Sequence, residues 1–263
     1  MYAIGIDRGG SYTRISVFDS SFNEINSKNF VSDTLEHFVS ETYNFLKEIN
    51  ACQVPTVISC KGAMTRKEIR DYITDNLTQK INLKKVISDA EGAHRAAFNE
   101  DNGFLIIVGT GSVLIYKKDG VYAIEGGKNP EGGDPGSGKW IGIKYLNSIK
   151  KDFSGWNDQT IASYTTEVIK KAKDENDTSC LNILKDAFKE LNILIKQAMA
   201  KFEGMKKLKI ALIGGLSSDE YFRNELSKYT NDNIKDVQIE FFIPETNIQK
   251  ASALYAIKLQ NEK

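Results

Sequence analysis

The sequence has few of the residues that build metal centres or disulfide frameworks. Its 263 residues include only 2 His and 3 Cys. The cysteines, Cys52, Cys60 and Cys180, are widely spaced and odd in number. They fit neither a zinc or iron–sulfur pattern nor a disulfide framework. We therefore expect a reduced, cytoplasmic setting for this chain.

The sequence also has no excess of either charge and no long apolar run. Lys plus Arg and Asp plus Glu both total 35, so the formal net charge is zero. Nucleic-acid-binding domains usually carry a basic excess, so we expect no nucleic-acid partner. No apolar run reaches the roughly 18 residues of a membrane span, and MYAIGIDRGG lacks the basic and apolar regions of a signal peptide. We expect no membrane partner.

The hydrophobic pattern predicts an α/β protein whose second half repeats the plan of the first. Three strands open the chain (YAIGID, TRISVFDS and EINSKNF), and helices then alternate with strands. At residue 104 the pattern restarts with three strands, the last two joined by a hairpin turn at Asp119-Gly120. Helices follow at 140–153, 161–173 and 180–202, then a strand, a Gly-Gly turn, a helix, a last strand and a closing helix. The boundary between the halves is predicted near the polar stretch FNEDNG at 98–103.

Residues 132–140, GGDPGSGKW, have part of a phosphate-loop pattern. Gly133, Gly138 and Lys139 stand at the spacing of a Walker A motif, but Trp140 occupies the position that needs a hydroxyl for magnesium. The pattern is therefore incomplete on sequence grounds alone.

Two other glycine-rich turns each join two predicted strands, so neither opens a helix as a Walker or Rossmann loop does. The first, RGGS, follows Asp7, and the second is GTGS at 109–112. Small residues let backbone N–H groups approach an anion, and a carboxylate beside them can hold Mg²⁺. Ordinary hairpin chemistry is the alternative for each turn taken singly.

A third turn, IGG at 213–215, joins an apolar strand to a helix. The helix N-terminus can face a polar ligand. The alternative is a plain strand-to-helix corner with Ser217 or Ser218 as N-cap. Elsewhere Thr65, with Glu68 three residues on, predicts a capping box at the start of a helix.

In this order, the turns IGIDRGG, VGTGS and LIGGLSSDEYF resemble the phosphate-1, phosphate-2 and adenosine motifs of the acetate and sugar kinase/heat-shock chaperone/actin superfamily. Within it, GGKNPEGGDPGSGKWIG at 126–142 is similar to the segment GGWGPLLGDEGSGYWIG of the BadF-type ATPase and N-acetylglucosamine kinase family. The resemblance covers nearly the whole chain and is most specific at 126–142 and at the first turn. It makes the Walker-like spacing a coincidence.

The resemblance implies an α/β fold of two ribonuclease H-like domains, the actin-like ATPase fold, flanking a nucleotide and sugar cleft. The N-terminal domain is expected over 1–98, with the closing helix 247–260 packed on it. The C-terminal domain is expected over 99–246, with a helical insertion. The implied cofactors are ATP and Mg²⁺, and a homodimer is possible for this class.

The family's nucleotide contacts carry over onto the three turns, and Asp7 matches the acid on the metal side, holding Mg²⁺ directly or through water. The expected nucleotide-binding residues are Asp7, Gly9, Gly10, Ser11, Thr13, Gly109, Thr110, Gly111, Ser112, Gly214, Gly215 and Ser218.

Asp89, in VISDAEGAHRAA, matches the carboxylate that takes the proton from the sugar hydroxyl. Its position after a buried strand suits a general base, which needs positioning more than strength. The alternative is that Asp89 only caps the following helix.

Gly127, Lys128 and Asp134 fall in the segment that contacts the sugar, where Asp134 matches an acid that hydrogen-bonds sugar hydroxyls. The alternative for Asp134 is a turn-forming residue before Pro135. Lys128 stands where the family has an aromatic residue, and Pro135 where it has a glutamate. A lysine there weakens the case for N-acetyl recognition and introduces a contact for an anionic substrate. Within KNFVSDT at 28–34, further candidates for the sugar contact are Asn29, Ser32 and Asp33.

These observations favour an ATP-dependent kinase acting on an amino sugar or N-acetylhexosamine. One alternative is an ATPase that drives the redox chemistry of a partner, although Cys60 and Cys180 lie in no matching context. The other is a nucleotide-sensing regulatory protein without kinase activity, which would not need Asp89 as a base.

Overall fold

A computed structural model of the chain describes residues 2–129 and 131–262. The chain divides into two compact units. Unit 1 comprises residues 1–101 together with 245–263, and unit 2 comprises residues 102–244.

Unit 1 contains a five-stranded sheet in the order β3-β2-β1-β4-β5. β1, β2 and β3 pair antiparallel, whereas β1, β4 and β5 run parallel. The carboxyl ends of the three parallel strands therefore lie at one edge of the sheet, where α/β proteins commonly bind ligands. The strands are β1 (Ala3–Arg8), β2 (Tyr12–Phe18), β3 (Glu24–Val31), β4 (Thr56–Cys60) and β5 (Leu83–Ser88).

Helices cover both faces of this sheet. Period-2 alternation sends Ile4, Ile6 and Ile58 into a core with α1 and α2, whereas Val57 and Ile87 pack against the C-terminal helix α9. β4 is buried at every position because both of its faces are covered. The helices of unit 1 are α1 (Leu35–Glu48), α2 (Lys67–Leu77), α3 (Asp89–Phe98) and, from the end of the chain, α9 (Ile248–Asn261).

Unit 2 repeats this sheet with the order β10-β9-β6-β7-β8. Its first three strands are antiparallel and its last two lie parallel to β6, as in unit 1. Asp119 and Gly120 both have positive φ, 51° and 77°, as the predicted hairpin turn requires. The strands are β6 (Phe104–Val108), β7 (Ser112–Lys118), β8 (Val121–Gly126), β9 (Lys207–Ile213) and β10 (Gln238–Phe242).

The helices of unit 2 differ from the sequence prediction in their boundaries. α4 begins two residues early because Ser137 caps it, its Oγ accepting from the backbone N–H of Trp140 at 3.3 Å. The helix predicted at 161–173 is two helices. The helices are α4 (Gly138–Ser148), α5 (Asp158–Ser163), α6 (Thr165–Asp174), α7 (Thr178–Met199) and α8 (Glu220–Asn233).

Two predicted helix caps are wrong. The cap position of α2 is Arg66, and no side chain caps it, so Thr65 forms no capping box. Ser217 and Ser218 lie in a short 3₁₀ helix and donate their hydroxyls to the carbonyls of Gly214 and Gly215. Asp219 caps α8 instead, accepting from the N–H of Phe222 at 2.9 Å.

Across the described residues, the helices are all too short or too polar to cross a membrane.

Replacement of Gly5 by alanine tests the packing of α9 on unit 1. A Cβ at Gly5 would overlap the backbone carbonyl of Gln249 on α9. We expect Gly5→Ala to lower the free energy of unfolding by about 1–3 kcal/mol or more, as overpacking of a core does. Urea denaturation measures this. The matched control is Gly215→Ala, whose Cβ meets no atom within 4 Å. Equal midpoints for the two variants would contradict the packing argument.

Candidate functional site

The first glycine turn of unit 1 is a tight connection between β1 and β2. The N–H of Gly9 donates to the carbonyl of Tyr12 at 3.0 Å, and the carbonyl of Ser11 accepts from the N–H of Ser32 at 2.9 Å. Thr13 is fully buried, and its hydroxyl lies 2.9 Å from that of Ser32. Thr13 therefore anchors the turn from inside, whereas Gly10 and Ser11 are exposed.

The stretch after β3 is tied to this turn. The guanidinium of Arg8 donates to the backbone carbonyl of Asp33 at 2.8 Å. Two of the further candidates for the sugar contact, Ser32 and Asp33, are therefore held beside the first turn by hydrogen bonds. Asn29 is exposed on β3, opposite Arg14 of β2.

Asp7 is nearly buried, two residues before Gly9. Burial raises the pKa of its carboxyl, the ion pair with Arg14 at 3.2 Å lowers it in part, and the charge of Asp89 raises it further. Oδ2 accepts from Arg14. A cation near the other oxygen would offset the burial and the repulsion by Asp89.

Asp89 is the first residue of α3 and follows β5 directly. The helix cap is Ser88, whose hydroxyl accepts from the N–H of Glu91 at 3.0 Å, so capping is not the role of Asp89. Burial raises the pKa of the Asp89 carboxyl, while the N–H of Ala90 and the charge of Lys61 lower it in part. The backbone N–H of Ala90 holds the Asp89 carboxylate at the carboxyl edge of the sheet. A general base requires such fixed positioning.

The second turn, in unit 2, is fastened to the start of α4. The N–H groups of Gly138 and Lys139 donate to the carbonyls of Gly109 and Thr110 at 2.7 and 3.2 Å. The third N–H of the helix, that of Trp140, is satisfied by Ser137. The ammonium of Lys139 is nearly buried and pairs with Asp158 at 2.7 Å. The Walker-like segment thus uses its amides and its lysine within the protein, which supports a coincidental spacing.

Ser112 and Asp134 hold the second turn from the other side. Ser112 is buried, donating its hydroxyl to the carbonyl of Pro135 at 2.8 Å and its N–H to Asp134 at 3.2 Å. The other oxygen of Asp134 accepts from the N–H of Asn129 at 3.0 Å. Ser112 therefore positions the turn, which leaves Gly109 and Thr110 to face a ligand, whereas a Cβ at Gly111 would lie 2.7 Å from Oδ2 of Asp134. Asp134 organises the loop that contains Gly127 and Lys128, both exposed.

The third turn meets the second within unit 2. Gly214 has φ of 104°, and a Cβ there would overlap the backbone of Val108, so only glycine fits. A Cβ at Gly109 would lie 3.6 Å from the backbone nitrogen of Gly215. The two turns border a cavity of about 700 Å³ lined by Gly109, Thr110, Gln159, Ala162, Ser163, Thr165, Thr166, Ile169, Gly215, Leu216, Ser218 and Asp219.

Several residues of these sites were not found from the sequence. Gln159 and Thr166 line the cavity, and Gln159 accepts from the hydroxyl of Thr110 at 2.9 Å. In unit 1, Arg14 and Lys61 are the cations beside Asp7 and Asp89. Arg14 could have been found from the sequence, because residues equally far from a hairpin turn lie opposite each other on the two strands, as Asp7 and Arg14 do. Lys61 had none.

The donor set of unit 1 fits magnesium held mainly by a nucleotide. Groups of three or more His, Cys, Asp or Glu side chains that would cage a metal are absent from the described ranges 2–129 and 131–262. Mg²⁺ commonly takes one or two carboxylates, with phosphates and waters completing its octahedron. One oxygen of Asp7 is free of the Arg14 contact, which suits this use.

The chain is similar to known proteins over nearly its whole length. An N-acetylmuramic acid/N-acetylglucosamine kinase of Clostridium acetobutylicum is 29% identical over 288 aligned positions, which cover 90% of this chain and 93% of the relative. Among solved structures, a Listeria monocytogenes protein proposed to be an N-acetylmannosamine kinase has a TM-score of 0.72 at 16% identity over the full length of both chains. A ROK hexokinase from Thermus thermophilus has a TM-score of 0.65 at 12% identity, also over both full lengths.

These structural likenesses establish the fold, two ribonuclease H-like units of the actin-like ATPase class. The model of the BadF/BadG/BcrA/BcrD ATPase family matches residues 4–249. Because this match covers nearly the whole length, the chain belongs to the BadF/BadG/BcrA/BcrD ATPase family.

Proposed function

We propose that this protein transfers the terminal phosphate of ATP to a hydroxyl of a sugar, and that the sugar is an amino sugar or N-acetylhexosamine. The family supports the use of ATP, and the Clostridium relative, named as a kinase of two such sugars, supports the acceptor.

The observation that carries the proposal is the placement of Asp89. Its carboxylate stands at the end of a buried strand, beside Asp7 and a cation, in the unit that also contains the first glycine turn. Asp89 would accept the proton of the sugar hydroxyl as the oxygen attacks phosphorus. Phosphoryl transfer needs little more from a base than position, because most of the catalysis is alignment and charge stabilisation.

The nucleotide would bind unit 2 through the cavity between the second and third turns. Gly109 and Gly215 leave room for a bulky ligand, and Thr110, Gln159 and Thr166 offer polar groups. Mg²⁺, when bound through Asp7, would neutralise charge on the phosphates. In unit 1, the backbone amides at Gly10 and Ser11 would offer donors to a phosphate.

The sugar contacts are assigned to the loop at 126–137. Asp134 keeps lone pairs beyond its two backbone hydrogen bonds, so it remains able to accept from a sugar hydroxyl. The exposed ammonium of Lys128 would favour a sugar that carries an acidic group.

Replacement of Asp89 by asparagine should abolish transfer without abolishing nucleotide binding. We expect kcat to fall about 10²–10⁴-fold, the usual contribution of a general base. A coupled ADP assay with a panel of glucosamine, N-acetylglucosamine, N-acetylmannosamine, muramic acids and glucose measures it. The control is Asp75→Asn, an exposed carboxylate on α2. ATP hydrolysis that ignores every sugar, in both variants and wild type, would favour a partner-driving ATPase or a nucleotide sensor.

The pH profile should report the environment of Asp89. The base works only when deprotonated, and burial raises its pKa. Activity should therefore be lost on acidification at a pH above about 4, the ordinary value for an aspartate. The measurement is kcat/KM for the sugar between pH 4.5 and 8, with circular dichroism to verify that the fold persists. A profile that stays flat to the acid end would argue against a buried aspartate as base.

Filling the cavity of unit 2 should block the nucleotide. A side chain at Gly215 begins in open space, so Gly215→Leu should leave the melting temperature unchanged while occupying the cavity. We expect the affinity for ADP to fall at least about tenfold, equivalent to 1.4 kcal/mol. Isothermal titration calorimetry measures this, and Gly215→Ala should give a smaller loss. Unchanged affinity in the leucine variant would place the nucleotide elsewhere.

A further inference from the structure

Lys61 lies over the first glycine turn. It follows β4, and its backbone N–H donates to the carbonyl of Arg8 at 2.9 Å, which extends the β4–β1 pairing past the end of the strand. The side chain then runs along the bare backbone of Gly10. A Cβ built on Gly10 would lie 2.6 Å from Nζ of Lys61 and 3.2 Å from its Cδ.

The ammonium of Lys61 has no protein partner in the part of the chain that the structure describes. Two neighbouring cations are engaged: Arg14 pairs with Asp7, and Arg8 donates to the carbonyl of Asp33. Lys61 influences Asp89 only through its charge. Three N–H donors are thus available at the glycine turn, on an exposed side chain that nothing else holds there.

We propose that Lys61 binds the terminal phosphate of ATP at the first glycine turn and remains bound to that phosphoryl group as it is transferred. This inference rests on the proposed function, because it takes the first turn as a phosphate site. It adds a residue that no motif of the sequence singled out.

Because Lys61 lies beside Asp89, we expect it to contact the terminal phosphate of ATP rather than the other two. In the transfer, a bond forms between the sugar oxygen and the γ-phosphorus, and the bond from that phosphorus to the bridging oxygen of ADP breaks. The hydroxyl proton goes to Asp89, and Lys61 keeps its own protons throughout. A cation adjacent to the base therefore meets the group that moves, where it stabilises the charge on the transferring oxygens.

The same geometry explains why residue 10 is glycine. Its φ is not in the left-handed region, and the first atom that a side chain would meet is Nζ of Lys61. Gly10→Ala should therefore displace the ammonium rather than strain the backbone.

The test compares the β,γ-imido analogue of ATP with ADP by calorimetry on wild type, Lys61→Met and Lys61→Arg. Lys61→Met should lose about tenfold to a hundredfold in affinity for the ATP analogue, the range for hydrogen bonds to charged groups, and should bind ADP as wild type does. Its kcat should fall about 10²-fold with an unchanged KM for the sugar. Lys61→Arg should recover part of both. The control is Lys67→Met, an exposed lysine on α2 paired with Asp71.

A double-mutant cycle with Gly10→Ala makes the test sharper. Gly10→Ala alone should lower the affinity for the ATP analogue more than the affinity for ADP. In the Lys61→Met background, it should cause almost no further loss of affinity.

Equal affinities of wild type and Lys61→Met for the ATP analogue, equal losses for both nucleotides, or an effect confined to the KM of the sugar would overturn the inference. The last result would assign the lysine to the sugar. A wild-type protein that binds neither nucleotide would overturn the proposed function, and this inference with it.

Discussion

Two carboxylates at the carboxyl ends of parallel strands organise unit 1. β1 and β5 lie on either side of β4, so their parallel order brings Asp7 and Asp89 to the same edge of the sheet. Burial raises the pKa of both groups, and the charge of Asp89 raises that of Asp7 further. Each has a cation beside it, Arg14 or Lys61, that offsets part of this cost. Like charges that the backbone holds close together are typical of catalytic sites, where burial and neighbouring charges shift pKa values.

Unit 2 meets a different requirement, a rigid turn that leaves a cavity open. The carbonyls of Gly109 and Thr110 accept from the first amides of α4, while Ser112 and Asp134 secure the turn from the opposite side. These bonds consume the polar groups that a motif search would assign to a phosphate. What remains beside the cavity is the backbone of Gly109 and Gly215, with Thr110, side chains of α5 and α6, and residues 216, 218 and 219.

The sequence allowed the fold to be predicted because periodicity and glycine turns are local signals. The strand order of each unit follows from two antiparallel hairpins and two parallel additions, and Asp119-Gly120 marked its turn correctly. Partners far apart in sequence were not accessible in this way. The bonds of Ser112 to residues 134 and 135 and the reach of Lys61 across to Gly10 depend on tertiary packing.

The surroundings of two lysines in the segment 126–142 also depend on contacts that the sequence does not reveal. Lys128 was recognised as unusual from its position in a motif, but its surroundings follow from the hydrogen bonds of Asp134 to the loop. Lys139 stands at the lysine position of the Walker-like spacing, and its nearly buried pairing with Asp158 is a structural use.

The close contact of Gly5 with α9 has a consequence for the order of folding during synthesis. Unit 2 is one continuous segment, so it emerges complete while unit 1 still lacks α9, which packs on one face of its sheet. Val57 and Ile87 lack their contact with Ala256 until α9 has been made. Domains usually fold in the order in which they are translated. Here the N-terminal unit is the later one to be completed, because all of unit 2 is made between its two segments.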